Sequence, residues 1–594
     1  MHAHADELQA HAALVSAPAY KEAGRRVLRQ LLEALLFEDL LPVQWLAPDS
    51  ACVQAGAESA ARYHFGVQRG LGFGRVRILG KIWRHCAQVR QEALDPAQFL
   101  ADVGPLLGAE DQAVQQLAAE LLATRIKHAQ TLAGASPCLL RDADYDTVEA
   151  RLGDAHPYHP CFKSRLGFNL ADNARFGPEL AAPLSPWLLA VRRDCCQYAA
   201  SRALDAVNLR HILLGETDAR HFDAALAQQQ LDPDAFLPLP VHPWQWREVI
   251  APLHHGAFAR GELVGVGAMA ARYQPQQSLR SLANLDQRCG WTLKLALSLV
   301  NTSTSRVLAP HTVLNAAAIS DWLQATVDGM AWPAPMTAPI LLREQAGICH
   351  VPSAAAAGQY GALACIWRES VHRRLPRALS ALPMSALCHT DADDQLLIAP
   401  WLRRYGIQAW LRRLLERAFL PVLHLLWSQG IALESHAQNM VLLHADGWPG
   451  GVMLKDFHDG VRFAPQWLAA PAPPLRAPSA EHARVNANSG LHSTVADEVR
   501  DFAVDALLFV NLAELGWSLL RFHGLAESRF WRVVAGVIAD YQAQHPQLAA
   551  AFARFNVQAR SFGIEALARR RLHPQDGVPA RQAPNPLAEV WPCR

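Results

Sequence analysis

The first 150 residues carry apolar side chains at helical spacing. Within residues 20–41, and again within residues 109–132, leucine and other apolar residues recur three or four positions apart. Such a stripe is typical of a helix that buries one face. In the first stretch the apolar positions are Val27, Leu28, Leu31, Leu32, Leu35 and Leu36. Residues 1–150 are therefore predicted to form a mostly helical lobe without obvious chemistry of its own.

Residues 151–375 show a different pattern, in which short strand-like runs alternate with polar turns that contain histidine and arginine. Residues 294–300 are the clearest case, because three leucines fall on one side of the run and Lys294 falls on the other. A period of two predicts a half-buried β-strand. This region is predicted to be mixed α/β.

Helical periodicity returns over residues 376–594, most clearly at 401–427 and 499–523. One exception interrupts it. Two apolar runs, 439–444 and 452–457, are separated by a turn-forming stretch, and this order predicts a β-hairpin.

Two further stretches of this region lack periodicity. Residues 469–478 are rich in alanine and proline and are predicted to be a surface connection. The last twenty residues or so contain four prolines, which predicts a loose tail.

The composition is typical of a folded protein with several domains. A chain of 594 residues is too long for one hydrophobic core, and 51% hydrophobic with 18% charged residues is ordinary for a globular protein. The 55 basic and 54 acidic residues nearly cancel, so bulk charge predicts neither a nucleic-acid nor a membrane partner. The N-terminus lacks the apolar core of a secretory signal, and the eleven cysteines include no CxxC pair. These features predict a cytoplasmic protein with reduced thiols.

A polar block at residues 434–439 stands beside the predicted hairpin, and Asp456 follows its second strand. The hairpin should bring Asn439 and Asp456 to the same end of two paired strands. An amide oxygen and a carboxylate there suit Mg²⁺, and protein kinases hold their metals beside a nucleotide with a similar pair. The alternative is a turn that these side chains stabilise through their own backbone.

A second polar group combines Ser278, Arg280 and Lys294 with the run at residues 302–306. Arginine, lysine and hydroxyl donors suit a polyphosphate, and a lysine within an apolar strand is costly unless it is paired. The alternative is a solvated basic edge. The chain has no GxxxxGK[ST] loop, no GxGxxG after a strand and no GxSxG elbow, so a nucleotide would be held without a standard phosphate loop.

A third group lies in the proline-stiffened loop 156–168, which contains His156, His159, Lys163 and Arg165. No cysteine or carboxylate stands at ligand spacing, so a closed zinc site is not expected. A small polyanion such as a carboxylic acid fits these cations better. The alternative is a set of ordinary capping histidines.

Six stretches in this order resemble the IucA/IucC family of siderophore synthetases that work without a nonribosomal peptide synthetase. They run from about residue 156 to residue 460 and read HPYHPCFKSRLGF, PVHPWQW, SLRSL, KLALSLVNTSTSR, GIALESHAQN and KDFHDG. The resemblance implies an α+β protein with three lobes, named thumb, fingers and palm. The helical thumb would span residues 1–150, the mixed α/β fingers with an antiparallel sheet 151–375, and the largely helical palm with its hairpin 376–594.

The resemblance also implies a reaction. ATP and Mg²⁺ would activate a carboxylate of citrate or a related acid as an acyl-adenylate with loss of pyrophosphate, and an amine or hydroxyl of a second substrate would then attack. A homodimer is a further implication. The implied ATP contacts are Ser278, Arg280, Lys294, Thr302, Ser303, Arg306, His436, Gln438 and Asp456. The implied metal ligands are Glu434, Asn439 and Asp456, and the implied acid contacts are His156, His159, Lys163, Arg165 and Arg306. Arg306, His436 and Lys294 are the implied catalytic residues.

One position departs from the family. Many members carry a lysine that can contact the acid shortly before a C-terminal Arg-Leu pair, and alignment on Arg571 and Leu572 puts Glu565 there. Arg569 or Arg570 could replace that lysine. The identity of the acid therefore stays open among citrate, 2-oxoglutarate and a citryl intermediate, and no motif encodes the nucleophile. Two other functions remain as alternatives, a phosphotransferase that uses the kinase-like Asn/Asp pair and a non-catalytic polycarboxylate-binding protein.

Overall fold

The computed structural model describes residues 2–56, 60–134, 139–153, 156–180, 182–302, 304–352, 358–485 and 490–592, so the predicted phosphate contact Ser303 lies outside the described residues. In the N-terminal region the helices are His2–Ser16, Pro18–Phe37, Pro96–Val103, Asp111–Ala133 and Tyr145–Arg151. The strands are Gln44–Ala47, Ser50–Gln54, Arg62–Arg69, Val76–Cys86 and Val89–Glu92.

These five strands form an antiparallel sheet in chain order, so the prediction of a mostly helical N-terminal lobe was wrong for residues 44–92. Arg62–Arg69 shows the physical reason. Its buried residues Tyr63, Phe65 and Val67 alternate with more exposed ones, which is the period of a strand. The helical spacing belongs only to the helices on either side.

The middle region contains the antiparallel sheet that the resemblance implies. In spatial order its six strands are Tyr273–Pro275, Ser281–Asn284, Trp291–Leu295, Ala364–Glu369, Glu344–His350 and Cys196–Ala200. A three-stranded sheet has the order Phe236–Val241, Trp187–Arg192 and Leu263–Ala268, and a two-stranded ribbon pairs Leu297–Asn301 with Thr304–Arg306. The longer helices are Leu170–Phe176, Leu209–Leu214, Glu216–Gln228 and Pro310–Gly329.

Lys294 lies on a different kind of strand from the one predicted. The run 294–300 is divided at Ala296 between Trp291–Leu295 in the six-stranded sheet and Leu297–Asn301 in the ribbon. All five residues of the first strand are buried, so Lys294 is enclosed rather than half-exposed. An enclosed ammonium group needs partners, and these lie in the C-terminal region.

The C-terminal region is largely helical, as predicted. Its helices are Ala399–Tyr405, Ile407–Leu414, Leu420–Gln429, Ala480–Val485, Ala496–Val504, Ala513–His523, Glu527–Gln544, Ala549–Arg554, Leu567–Leu572 and Pro586–Val590. Two five- to eight-residue π-helical segments, Leu415–Phe419 and Asp505–Leu512, join neighbouring helices. Its strand pairs are Ile431–Leu433 with Val461–Phe463, and Ser561–Glu565 with Ala580–Pro584.

The predicted hairpin is confirmed. Met440–Ala445 pairs antiparallel with Trp448–Leu454, and the turn is tighter than predicted because Asp446 and Gly447 alone close it. Both residues have positive φ, 49° and 84°, as a two-residue hairpin turn requires. The hairpin forms the centre of a four-stranded sheet.

The prediction of a loose C-terminal tail was wrong. Ala580–Pro584 completes a two-stranded sheet, and the helix Pro586–Val590 follows it. Ala583 and Leu587 are fully buried in the largest core. That same core includes Phe37 and Leu341, so it draws side chains from all three regions. The largest core therefore ties the three regions together, while the middle region and the N-terminal region also have cores of their own.

One helical stretch among the described residues, Ala496–His523, is long and apolar enough to cross a membrane by length and composition. Of its most apolar window, 78% is buried inside the protein. A buried core helix accounts for this composition.

Candidate active site

A cleft of about 720 Å³ lies where the three regions meet. It is lined by the ends of the hairpin, by the turn at residues 278–280, by the ribbon and by the C-terminal strand pair. Twelve of the predicted site residues line it: His156, His159, Ser278, Arg280, Lys294, Thr302, Arg306, Glu434, His436, Gln438, Asn439 and Asp456. Residues far apart in sequence thus share one cavity.

Two arginines form the cationic side of the cleft. The Nη1 atom of Arg280 donates to the backbone oxygens of Arg306 and Val307, at 3.3 and 2.9 Å, and Nη2 of Arg306 donates to Oγ1 of Thr302 at 2.6 Å. Burial and the neighbouring Arg280 lower the pKa of Arg306 to about 10. In the described part of the chain neither arginine has a carboxylate partner. Two desolvated cations with no carboxylate at ion-pair distance are a site for an anion.

The partners of Lys294 form a buried chain of charged groups. Its Nζ lies 3.1 Å from Oδ1 of Asp456 and 3.1 Å from Nε2 of His458. Nδ1 of His458 is 2.5 Å from Oε1 of Glu344, whose other oxygen accepts the backbone N–H of His458 at 3.0 Å. Because Nδ1 faces a carboxylate, Nε2 is left as the acceptor for the lysine. Nη1 of Arg368 donates to the same oxygen of Asp456, Oδ1.

This chain of contacts holds the lysine and the carboxylate in fixed positions. Burial lowers the pKa of Lys294 to about 8. Burial would raise the pKa of Asp456, but Lys294 and Arg368 keep it well below its usual range. Sequence reasoning missed Glu344, Arg368 and His458. Only the neighbouring Asp456 could have drawn attention to His458, and nothing in the sequence near Glu344 or Arg368 indicates the contact.

Replacing Glu344 by glutamine should lower the rate of the adenylation that the family resemblance implies about tenfold, because a charge-assisted hydrogen bond to His458 becomes a neutral one and Lys294 is held less firmly. Pyrophosphate release under saturating substrates is the measurement. Glu262→Gln is the matched control, since Glu262 is equally buried but pairs with Arg260 outside the cleft. Equal rates in the two variants would contradict a positioning role for Glu344.

The histidine loop reaches the cleft with His156 and His159. The Nδ1 atom of each ring accepts a backbone N–H from its own loop, at 3.2 Å from His159 and 3.0 Å from Cys161. These are capping contacts, as the alternative interpretation proposed, yet both residues line the cleft. Burial lowers the pKa of His156 to about 3 and that of His436 to about 4, so both are neutral at pH 7.

Lys163 and Arg165 do not reach the cleft, and this placement disagrees with the prediction that they contact the acid. Their side chains are 0% and 2% exposed and both bind Glu179, at 2.6 and 2.9 Å. Arg165 also donates to Asn173 at 2.6 Å. A substrate carboxylate would have to displace Glu179 from a closed ionic cluster. The spacing of the cations in the sequence does not reveal which of them turn inward.

The predicted metal ligands lie on the acidic side of the cleft. Nδ2 of Asn439 donates to the backbone oxygen of Glu434 at 2.9 Å, which ties the polar block to the start of the hairpin. Burial, together with Glu565, Asp459 and Asp456, raises the pKa of Glu434 to about 7. This carboxylate therefore lacks sufficient positive charge around it. A carboxylate with that deficit, in the same cleft as the oxygens of Asn439 and Asp456, fits Mg²⁺.

Further carboxylates continue this side of the cleft. Glu565, which stands where the resemblance leads one to expect a lysine, lines the cleft at the end of Ser561–Glu565 and binds Nη1 of Arg570 at 2.6 Å. Its backbone N–H donates to Asp505 at 3.1 Å. Burial raises the pKa of Asp505 to about 8. Asp497, Glu498 and Asp501 complete this wall.

Known proteins share this architecture. Residues 144–389 match the IucA / IucC family, and residues 408–578 match the family described as ferric iron reductase FhuF-like transporter. A Staphylococcus aureus protein named 2-[(L-alanin-3-ylcarbamoyl)methyl]-3-(2-aminoethylcarbamoyl)-2-hydroxypropanoate synthase is 32% identical over 95% of this chain and 92% of its own. A Bacillus anthracis citryl-spermidine/3,4-dihydroxybenzoyl-citryl-spermidine:spermidine ligase is 32% identical over 96% of this chain and 94% of its own.

Among solved structures, the petrobactin biosynthesis protein AsbB from Bacillus anthracis superposes with a TM-score of 0.89 at 30% identity, covering 98% of this chain and 97% of that one. The fold and the relatives define an acid–amine ligase of siderophore biosynthesis. The chain belongs to the IucA/IucC family, as its six motifs indicated.

Proposed function

We propose that this protein is an ATP-dependent siderophore synthetase that adenylates a carboxylate of citrate or a related acid and condenses it with an amine, releasing AMP and pyrophosphate. One observation carries the proposal. Arg280 and Arg306 are desolvated cations without carboxylate partners in the described chain, and they face the same cleft as Glu434 and Asp456. This arrangement suits a reaction in which negative charge builds on phosphate and carboxylate together.

Each side chain has a proposed part in the reaction. Arg280, Lys294 and the hydroxyls of Ser278 and Thr302 would bind the phosphates, with Gln438 beside them. Arg306 and His436 would hold the acid carboxylate against the α-phosphate. Bringing two anions together is most of the barrier, so positioning should matter more than proton transfer.

Mg²⁺ would be held by Glu434, Asn439 and Asp456, where it would neutralise phosphate charge. His156 and His159 stand near the acid in this proposal. The thumb, fingers and palm boundaries at residues 150 and 375 remain a proposal, as do a homodimer and a cytoplasmic location.

The wall of carboxylates supports an amine as the nucleophile. Asp505, whose pKa burial raises to about 8, is short of positive charge. An alkylammonium group would supply it, whereas a neutral hydroxyl would not. Amines are therefore expected to react faster than matched alcohols.

Replacing Asp456 by asparagine should raise the Mg²⁺ concentration needed for half-maximal activity, because a carboxylate oxygen is a stronger ligand than an amide oxygen. A Mg²⁺ titration of pyrophosphate release measures the effect. Asp286→Asn is the control, since Asp286 pairs with Arg272 at the surface and lies outside the cleft. Superimposable titrations of wild type and Asp456→Asn would contradict the proposed metal site.

The proposed function is tested with a matrix of acids and amines, analysed by mass spectrometry of the products. Citrate, a citrate monoamide and 2-oxoglutarate are incubated with ATP, Mg²⁺ and diamines, amino acids or amino alcohols. The proposal predicts an amide and AMP for at least one pair. ADP as the only nucleotide product would instead favour a phosphotransferase, and acid binding without any ATP turnover would favour a binding protein.

A further inference from the structure

A second cavity adjoins the cleft and is not used by the proposed adenylation. It has a volume of about 690 Å³ and shares His156, His436, Gln438 and Val510 with the lining of the cleft. Its other walls come mainly from the helix Pro18–Phe37, the strand Val76–Cys86, the segment 385–390 and the helical stretch that ends at His523. We name this cavity the arginine chamber.

The two carboxylates of the arginine chamber have their hydrogen-bond donors on residues 75–78. Glu514 accepts hydrogen bonds from Arg75 and Arg77 at 3.0 and 2.8 Å. Burial would raise the pKa of Glu514, but the two arginines lower it to about 2. Glu33 accepts the backbone N–H of Ile78 at 2.8 Å and lies 3.8 Å from Arg77. Glu514 is therefore neutralised, whereas burial raises the pKa of Glu33 because Arg77 compensates for it only in part. Neither acid forms an ion pair with Arg29 in the described structure.

Two arginines of the chamber have no such partner. Arg29 makes no hydrogen bond or ion pair to any described residue, and its Nε is buried without an acceptor. Arg521 also lines the chamber, and its guanidinium lies over the ring of Phe522, at 5.0 Å, with no carboxylate partner in the described chain. Arg29 is half-buried and Arg521 is exposed, so the missing acceptor is costly for Arg29, unless a ligand supplies one.

We propose that the arginine chamber binds the free carboxylate of a substrate segment that is not itself adenylated. Arginine matches a carboxylate with two parallel hydrogen bonds, and Trp517 in the lining of the chamber offers apolar surface for the connecting chain. The chamber opens beside His156 and His436, so a substrate with its reacting group in the cleft can extend into it. This inference rests on the proposed function and extends it to substrate selection.

Two substrates could supply that carboxylate, and they differ in the step that they affect. A remote carboxylate of the acid is present during adenylation. The α-carboxylate of an amino-acid nucleophile matters only in the condensation. Both have the same chemistry in the chamber, so the experiment separates them by step.

The test compares wild type with Arg29→Gln, and with Lys21→Gln as the control, because Lys21 is exposed on the same helix and outside both cavities. Loss of a charge-assisted hydrogen bond should raise the KM for one substrate about ten- to hundredfold and leave kcat nearly unchanged. If the affected substrate is citrate or its monoamide, measured by pyrophosphate exchange, the chamber binds the acid. If Arg29→Gln raises the KM for α,β-diaminopropionate in the condensation but not the KM for ethylenediamine, the chamber binds the nucleophile.

The inference is overturned if the KM of Arg29→Gln for every substrate stays within about twofold of the KM of the control, well below the expected increase. Failure of the proposed function looks different, because the wild type itself would then show no acid-dependent exchange. In that case calorimetric titration with citrate and with α,β-diaminopropionate still tests the chamber. A weaker Kd in Arg29→Gln alone supports it, and equal Kd values in all three proteins contradict it.

Discussion

Replacing Arg306 by alanine is expected to lower the adenylation rate about a hundred- to thousandfold, the usual cost of removing a preorganised group that stabilises transition-state charge. Arg306 is buried, lacks a carboxylate partner in the described chain and lies between the Arg280 side chain and the turn at Thr302. The guanidinium of Arg306 can therefore bind the anions of the reaction without first breaking an ion pair. Acid-dependent pyrophosphate release at saturating ATP is the measurement.

The control is Arg272→Ala, in which a surface arginine paired with Asp286 is lost at a site outside the cleft. The fold should survive in both variants, because the Arg306 side chain donates only to Thr302 and to the backbone oxygen of Asn301 among the described residues. Unchanged melting temperatures together with a selective loss of rate would support the assignment. A rate for Arg306→Ala within about threefold of that of Arg272→Ala would contradict it, since the expected loss is far larger.

Replacing Glu179 by glutamine is expected to destabilise the protein by about 3–5 kcal/mol, because Lys163 and Arg165 would keep their buried charges without a carboxylate. The ion pairs measure 2.6 and 2.9 Å, and all three side chains are at most 2% exposed. The free energy of unfolding in urea, monitored by circular dichroism, measures the loss. This result would also separate a structural cluster from an acid-binding site.

The Glu179→Gln substitution should also change how the stability of the protein depends on pH. Burial would raise the pKa of Glu179, but Arg165 and Lys163 hold it below its ordinary value of 4.5. A depressed carboxyl pKa stabilises the fold above the unfolded-state value, and that stabilisation is lost as the pH falls through the folded-state pKa. Wild type should therefore lose more stability than Glu179→Gln as the pH falls below about 4.5.

Glu216→Gln is the control for this prediction. Glu216 forms an exposed pair with Arg220 one helical turn away, and such a pair contributes about 0.3–0.5 kcal/mol. If Glu179→Gln were as stable as Glu216→Gln, the cluster would not be a structural element, and the loop would again be a candidate for binding the acid.

Local patterns were enough to predict much of the fold and most of the cleft. The hairpin is encoded by two apolar runs around a turn, and its geometry brings Asn439 and Asp456 to the same cavity. The cation cluster could be predicted because arginine and lysine beside apolar strands must have partners or a ligand. Both inferences depend on residues close together in sequence.

Predictions failed where the structure depends on the direction of a side chain or on a partner far away in the sequence. The loop at residues 156–168 shows its cations in sequence, but not that Lys163 and Arg165 turn inward to Glu179. The contact between Glu344 and His458 spans 114 positions, and no periodicity encodes it. The N-terminal sheet was missed because strong helical stripes on both sides of residues 44–92 dominated the pattern.

The central claim is that the cleft activates a carboxylate by adenylation, and acid-dependent exchange of labelled pyrophosphate into ATP tests it most directly. The assay contains Mg²⁺ and an acid, with no amine present. Adenylation of the acid predicts exchange with citrate or its monoamide, none without acid, and a loss of about a hundredfold or more in Arg306→Ala. Absence of exchange with every acid that supports ATP consumption, with ADP as the nucleotide product, would contradict it.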